Sequence, residues 1–303
     1  MTLFGLVERE KANHRVTHLC RALDVSTSGY YAWRTRGPSR RARRNAELLV
    51  RIREIHAASR KVYGSPRVHA ELVLGRGIRC SRKRVARLMR SAGLAGIHRG
   101  RIRGCTRRDE ARQPQPDLVK RQFEQPGPNR LWVADLTQHA TAEGWLYLAT
   151  VLDAYSRRIV GWSMGDRAQA GLVMDALNMA IWQRRPGQGL VHHSDHGAQY
   201  TSLTFTKRLE EAGILGSMGT VGDALDNAMA ESFFATLQVE LLDRNRWPTR
   251  KALASAIFTY IEVFYNRRRR HSALGYLSPD EYERKTANSV QRSRPEGHEA
   301  VAT

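Results

Sequence analysis

NRLWVADLTQHAT (129–141) and GWLYLATVLDAYSRRIVGWSM (144–164) are the stretches on which the fold turns. Aliphatic, aromatic and β-branched residues run through both, with polar or glycine positions between, which predicts three β-strands centred near Val133, Ala149 and Val160. Connections this short make them an antiparallel meander. One residue does not belong in such a run. Asp135 interrupts WVADLT, and an acid inside a strand fit for the core needs a partner or a cation to offset its desolvation.

Beyond the meander, periodicity predicts a helix over 168–184, a short buried strand over 189–192, a helix over 201–212 and a strand over 214–217. A helix from 227 towards 242 and another within 249–270 follow. Strands first, then alternating helices and strands, describe an α/β layered domain. Asp195 comes directly after the strand GLVHH, at the carboxyl end where open α/β sheets place ligands, with Ser194, His196 and Gly197 forming a tight polar turn. Glu231 lies one turn into the helix of DNAMAESFFATLQVELL (226–242), among small residues that leave room for a ligand. Three hard oxygen donors from a strand, a strand end and a helix can converge on Mg²⁺, and two such ions roughly 3.5–4 Å apart serve phosphodiester chemistry. For any one acid alone, a cap or an ion pair is the better account. Asp153, Asp223 and Asp226 are further acids that spacing does not exclude, and His192, His193 and His196 crowd one turn, with zinc the weaker reading there.

Charge separates the front of the chain from this domain. Of the net +21, residues 1–125 carry +20 and residues 126–303 only +1. An excess made mostly of arginine, which grips phosphate bidentately, points to nucleic acid ahead of a membrane surface. No run of 18 uncharged apolar residues exists to span a bilayer, and Cys20, Cys80 and Cys105 are spaced for neither a disulfide framework nor a zinc site. MTLFGLVEREKANHRV lacks the apolar region of a signal peptide, so a cytoplasmic place, with the bacterial nucleoid, is expected.

In the basic front, HRVTHLCRALDVSTSGYYAW (14–33) predicts a short helix, a break at 24–26 and a second helix capped by Ser26 or Thr27 and carrying Tyr30 and Tyr31 as candidate DNA contacts. The layout fits a helix-turn-helix and equally any αα-hairpin. RRARRNAELLVRIREIHAASR (40–60) is one amphipathic helix. Residues 61–96 repeat the two-helix arrangement, with Ser81 capping a helix on which Arg82, Lys83, Arg84 and Arg87 surround an apolar stripe, and here DNA is favoured over a structural hairpin. The expected organisation is a helix-turn-helix and basic helix over 1–60, a second helix-turn-helix over 61–96, a basic linker over 97–125, a catalytic core with C-terminal helices over 126–285, and a disordered tail over 286–303. Pro279 is expected to stop a helix.

YGSPRVHAEL, WVADLT, LDAYSRRIVGW, HHSDHGAQYTS, DNAMAESFFATLQVELL and YNRRRRHSALGYLSPDEYE together resemble the bacterial insertion-sequence transposases of the retroviral-integrase type, in their larger, OrfB-like product. The matching pieces run from about residue 16 to 285. Asp135, Asp195 sixty positions on, and Glu231 with thirty-five residues between it and Asp195 look like that family's D,D(35)E triad. The resemblance implies an RNase H-like core in which these three acids bind two Mg²⁺ or Mn²⁺. It also implies the reaction: water attacks DNA at the end of the element, the freed 3′-hydroxyl attacks another phosphodiester, and the element usually passes through a circle. Its implied partners are element-end and target DNA, a second copy of the chain and an upstream OrfA-like protein, with no membrane and no small-molecule substrate. Where the family commonly shows Lys or Arg, seven residues after the glutamate, this chain has Gln238, which bonds a base edge or phosphate without the charge. Asn227 caps the glutamate helix or orients Glu231, and Arg267, Arg268 and His271 belong to a terminal basic motif for which phosphate contact and a solvated charge run are equally good accounts. The rivals are a helix-turn-helix regulator with an inactive integrase-like platform, which has no reason to keep three acids, and a structure-selective nuclease that cuts without joining.

Overall fold

A computed structural model describes residues 2–97, 118, 119, 123–195, 197–218 and 228–292 of the 303-residue chain, without the side chains of 289–292. The chain divides into two compact units, Met1–Arg53 and Glu54–Thr303.

In the first unit α1 (Leu3–Glu10), α2 (Val16–Ala22) and α3 (Thr27–Thr35) bury Val7, Cys20 and Tyr30 in one small cluster. α1 was not expected from the sequence; Phe4 and Val7, one turn apart, supply the face it buries. Asp24 takes the left-handed conformation (φ 51°) that breaks the chain between α2 and α3. Ser26 caps α3, accepting a bond from the Gly29 N–H at 3.0 Å. Tyr30, expected to contact DNA, is fully buried, and its hydroxyl donates to Glu8. The helical phase that turns Tyr30 inward makes it a core residue, while Tyr31, 100° further round, stays half exposed. α4 (Arg40–Ala58) follows as predicted.

The second unit contains α5 (Ser65–Ala70), a π-helical turn over Glu71–Gly75, and α6 (Arg82–Ser91). Ser81 caps α6, accepting from the Arg84 N–H at 3.3 Å. Burial of Val85, Leu88 and Met89 leaves Arg82, Lys83 and Arg87 exposed and Arg84 half-buried. The same unit carries a mixed sheet of β1 (Leu131–Thr141), β2 (Gly144–Asp153), β3 (Ile159–Gly165), β4 (Val191–Ser194) and β5 (Leu215–Met218), in the order β3-β2-β1-β4-β5. The first three strands form the expected antiparallel meander, and β4 and β5 add to β1 in parallel. α7 (Ala170–Arg184) and α8 (Leu203–Glu211) supply the crossovers and share one core with Trp132 and Ala134 of β1. Gly161 permits the close approach of α7: a Cβ there would lie 2.1 Å from the Ala176 carbonyl oxygen. β1, central in the sheet, is buried on both sides over Leu131–Ala134, which is why its sequence reads as a continuous apolar run.

α9 (Ala228–Glu240) packs against β1, and α10 (Arg250–Thr259) leads through a π-helical turn, Tyr260–Tyr265, into the basic motif. There the four arginines divide. Arg267 and Arg268 are exposed. Arg269 is buried and donates two bonds, of 2.7 and 2.8 Å, to Glu240 at the end of α9, whose second oxygen also accepts from Tyr260 at 2.9 Å. Arg270, also buried, donates to Glu71 at 2.7 Å and pairs with Glu281. Tyr63 accepts from the Arg270 N–H at 2.8 Å, and Arg67 donates to the Arg270 carbonyl at 3.0 Å, so the segment before α6 is tied to the C-terminal motif. Burial would raise the pKa of Glu240, but the Arg269 bonds outweigh it and hold the carboxyl below its ordinary range.

Two expectations fail at the C-terminal end. Pro279 opens a helix, α11 (Pro279–Arg292), because a first-turn position needs no N–H and Asp280 and Glu281 suit the positive end of the helix dipole. The expected tail is therefore helical as far as Arg292, and 293–303 lie outside the described residues. Most of the expected linker lies outside them too, although Val119 is buried and the Leu118 N–H donates to Ser217 Oγ at 3.0 Å.

Removing one member of a buried pair strands the other charge, at a cost of about 3–5 kcal/mol. Glu240→Leu is expected to lower unfolding stability in urea by about that amount, and the double variant Glu240→Leu/Arg269→Met to recover a large part of it. A single variant within about 1 kcal/mol of the natural chain would show that the pair is not what holds α9.

Candidate active site

The register of β1 against β4 pairs Val133 with His193. Carried two residues further, it sets Asp195, just past the end of β4, beside Asp135 on the adjacent strand and on the same face, where neighbouring strands are about 4.8 Å apart. That face is opposite the one on which Trp132 and Ala134 join the α7–α8 core. Asp135 Oδ1 accepts from the Leu136 N–H at 2.7 Å, and Asp195 Oδ1 from the Gly197 N–H at 3.1 Å. Glu231 stands in the first turn of α9, exposed, on the helix that packs against β1. The three acids, from a strand, a strand end and a helix, meet in electrostatic reach. Burial, then the charge of Asp195 and, after the opposing Leu136 bond, that of Glu231, leave the Asp135 pKa raised to about 8. Among the described residues no three His, Cys, Asp or Glu side chains already stand at ligating distances, so the acids are neighbours and not a closed ligand set.

The other candidates separate clearly. Asp153 is wholly buried and accepts from the N–H groups of Asn129, Tyr155 and Ser156 at 2.7, 3.0 and 3.1 Å, the work of a structural carboxylate that organises the β2–β3 turn. His192 and His193 are consecutive on β4 and point to opposite faces, which disposes of a shared zinc site for these two. His192 packs against Tyr200 and Phe205, and burial followed by the charge of His193 pushes its pKa down to about 4. Tyr200 belongs to the core. Gln238 donates to Asp243, and Arg267 and Arg268 are solvent-facing. His271, a candidate for phosphate contact or a solvated charge run, is neither: it is buried with its ring edge-on to Tyr265 at 4.9 Å, and burial and the adjacent guanidinium groups hold it neutral, so it is no phosphate-gripping cation. Asn227, His196, Asp223 and Asp226 lie outside the described residues.

Family models match the helical region and the sheet-bearing region in turn, the first of them across the boundary between the two compact units. An "Integrase core domain" model matches residues 125–224, a second of that description matches 212–279, and an "HTH-like domain" model matches 43–101. The chain is 39% identical over 288 residues to the "Transposase for insertion sequence element IS629" of Shigella sonnei, covering 93% of this chain and 96% of the relative. It is 37% identical over 286 residues to "Transposase InsF for insertion sequence IS3A" of Escherichia coli K12, covering 93% and 98%.

The chain belongs to the insertion-sequence transposases.

It has the RNase H-like integrase core of that family behind a helical, helix-turn-helix-like region. Of the two helical hairpins expected in this transposase, α5–α6 lies within the matched HTH-like stretch and α2–α3 lies before it. Among solved structures, the HTLV-2 integrase catalytic core domain in complex with magnesium is 19% identical, with a TM-score of 0.39, over 52% of this chain and 98% of that one.

The pKa of Asp135 fixes the sign of a pH effect. Between its unfolded value near 4 and its folded value of about 8, the folded transposase holds a proton that the unfolded chain has released. The stabilisation is complete below the lower value and is lost as pH rises through the upper one, by up to about 1.4 kcal/mol per pH unit. Asp135→Asn is expected to remove this slope, measured as urea unfolding free energy from pH 5 to 8; equal slopes in the two proteins would show that Asp135 ionises normally.

Proposed function

We propose that this transposase cleaves DNA at the ends of its element and joins the freed 3′-ends to new DNA, with Asp135, Asp195 and Glu231 forming one divalent-cation centre. The observation that carries the reading is the placement of the three acids: register sets Asp135 and Asp195 side by side on adjacent strands, and the helix that bears Glu231 packs against β1, so that burial and the two neighbouring carboxylates raise the Asp135 pKa. Like charges crowded in a half-buried place are relieved by a cation, and this donor set is all hard oxygen, which fits Mg²⁺ or Mn²⁺ and not a thiolate- or imidazole-preferring metal. When bound, two such ions supply Lewis-acid stabilisation of the charge that develops at the phosphodiester.

The chain's own part is positioning. The Leu136 and Gly197 N–H groups aim Asp135 and Asp195 from adjacent strands, and α9 brings Glu231 across the face of β1. In the first step the bond between phosphorus and the 3′-oxygen at the element end breaks as water adds, leaving a 3′-hydroxyl. In the second, that hydroxyl attacks another phosphodiester, releasing a new 3′-hydroxyl and requiring no ATP. Residues 126–285 serve as the catalytic core, and the basic region before them, with Arg82, Lys83, Arg84 and Arg87 on α6 and Tyr31 on α3, holds the DNA. Arg267, Arg268 and Gln238 are further DNA contacts in this reading. Joining two ends in one reaction calls for a second copy of the chain, and the family resemblance adds an upstream OrfA-like protein as partner or fusion. The cytoplasm, with the nucleoid, is where its substrate lies.

Duplex carrying the DNA that borders the element, incubated with the purified protein and Mg²⁺, Mn²⁺ or EDTA, tests the proposal. Metal-dependent nicking at the border and joined products are expected, falling by about 10³ or more in Asp135→Asn, Asp195→Asn and Glu231→Gln, with DNA binding retained. Binding without any cut in the natural chain would favour the regulator, and nicking without joined products would favour the nuclease.

A further inference from the structure

Beside α9 lies a cavity of about 120 Å³, partly open, whose wall includes Arg67, Arg157, Arg269, His271, Ser232 and Thr236. Three guanidinium groups from distant parts of the sequence meet here, and the charges of Arg269, Arg67 and Arg157 all act on His271. One carboxylate, Glu240, answers them: it takes two bonds from Arg269 and stands 3.8 Å from Arg67. With His271 neutral, the cavity is left with an excess of about two positive charges. Arg157 is the uncompensated one. Half-buried in the β2–β3 turn, it makes no side-chain hydrogen bond or ion pair among the described residues, and burial lowers its pKa. It also holds a left-handed backbone conformation, φ 61°, which costs a non-glycine residue on the order of 1–3 kcal/mol.

We propose that this cavity is an anion site that takes one phosphate group of the DNA backbone, with Arg157 as its free donor. Arginine matches phosphate geometry through paired N–H groups, and a partly desolvated guanidinium without a counter-ion is the group that gains most from one. Ser232, on the cavity wall, directly follows Glu231, so a phosphate seated here belongs to a strand that passes the acid centre. This inference rests on DNA being the substrate, as proposed above, and does not need the acids to be catalytic.

The test uses the full chain and Arg157→Gln, each also carrying Glu231→Gln so that no DNA is cut. Inorganic phosphate is expected to raise the melting temperature of the parent more than chloride at equal ionic strength, and Arg157→Gln to lose that increment. Arg157→Lys is expected to keep part of it, and the exposed control Lys207→Gln on α8 all of it. The slope of log Kd for duplex DNA against log salt is expected to fall by about one unit in Arg157→Gln. An unchanged phosphate increment would overturn the site. A lost increment with an unchanged salt slope would overturn its assignment to DNA and leave a site for free phosphate. Loss of cleavage in the acid variants is read in a separate assay, so failure of the catalytic reading and failure of this one are told apart.

Discussion

A carboxylate and a guanidinium taken together out of water hold α9 where the candidate active site needs it. Glu240 at the end of the helix is buried, accepts two bonds from buried Arg269 and a third from Tyr260, and so cannot leave without stranding charge. Glu231 sits at the other end of the same helix, nine residues away, near enough for its charge to act on Asp135. α9 thus works as a lever clamped at one end, and the clamp belongs to the C-terminal motif YNRRRRH. The same motif reaches back through Arg270 to Glu71 and through its backbone to Tyr63 and Arg67, so chain segments some 200 positions apart share one polar core.

Much of this was legible in the sequence, for reasons that can be assigned. Long elements with clear periodicity, α4, α7 and the β1–β3 meander, fall where the pattern puts them, because burial of one face or two imposes it. Asp135 stood out because an acid in an apolar strand contradicts its surroundings. In the structure, burial and two neighbouring carboxylates raise its pKa to about 8. Asp195 was legible from its place after β4, and register then sets it beside Asp135.

What was not legible is the fate of long polar side chains. A run of four arginines gives no sign that two are solvated and two buried against acids, because the difference lies in partners 29 and 199 residues away. The place of Tyr30 on the second helix of a hairpin and of His271 in a basic motif does not tell which way either side chain turns, and burial decides it: one is a core phenol, the other a neutral ring among arginines. Arg157 carried no signal at all within SRR. Its interest arises only because the β2–β3 turn aims it into a cavity built by other segments.

The central claim is that three acids on three elements are one divalent-cation centre. Equilibrium dialysis of Mn²⁺ against the natural chain and against Asp135→Asn, Asp195→Asn and Glu231→Gln tests it without any appeal to turnover. Each single change is predicted to weaken Mn²⁺ binding by about tenfold or more, since it removes a donor and a charge together. Three variants that bind Mn²⁺ as the natural chain does would contradict the account.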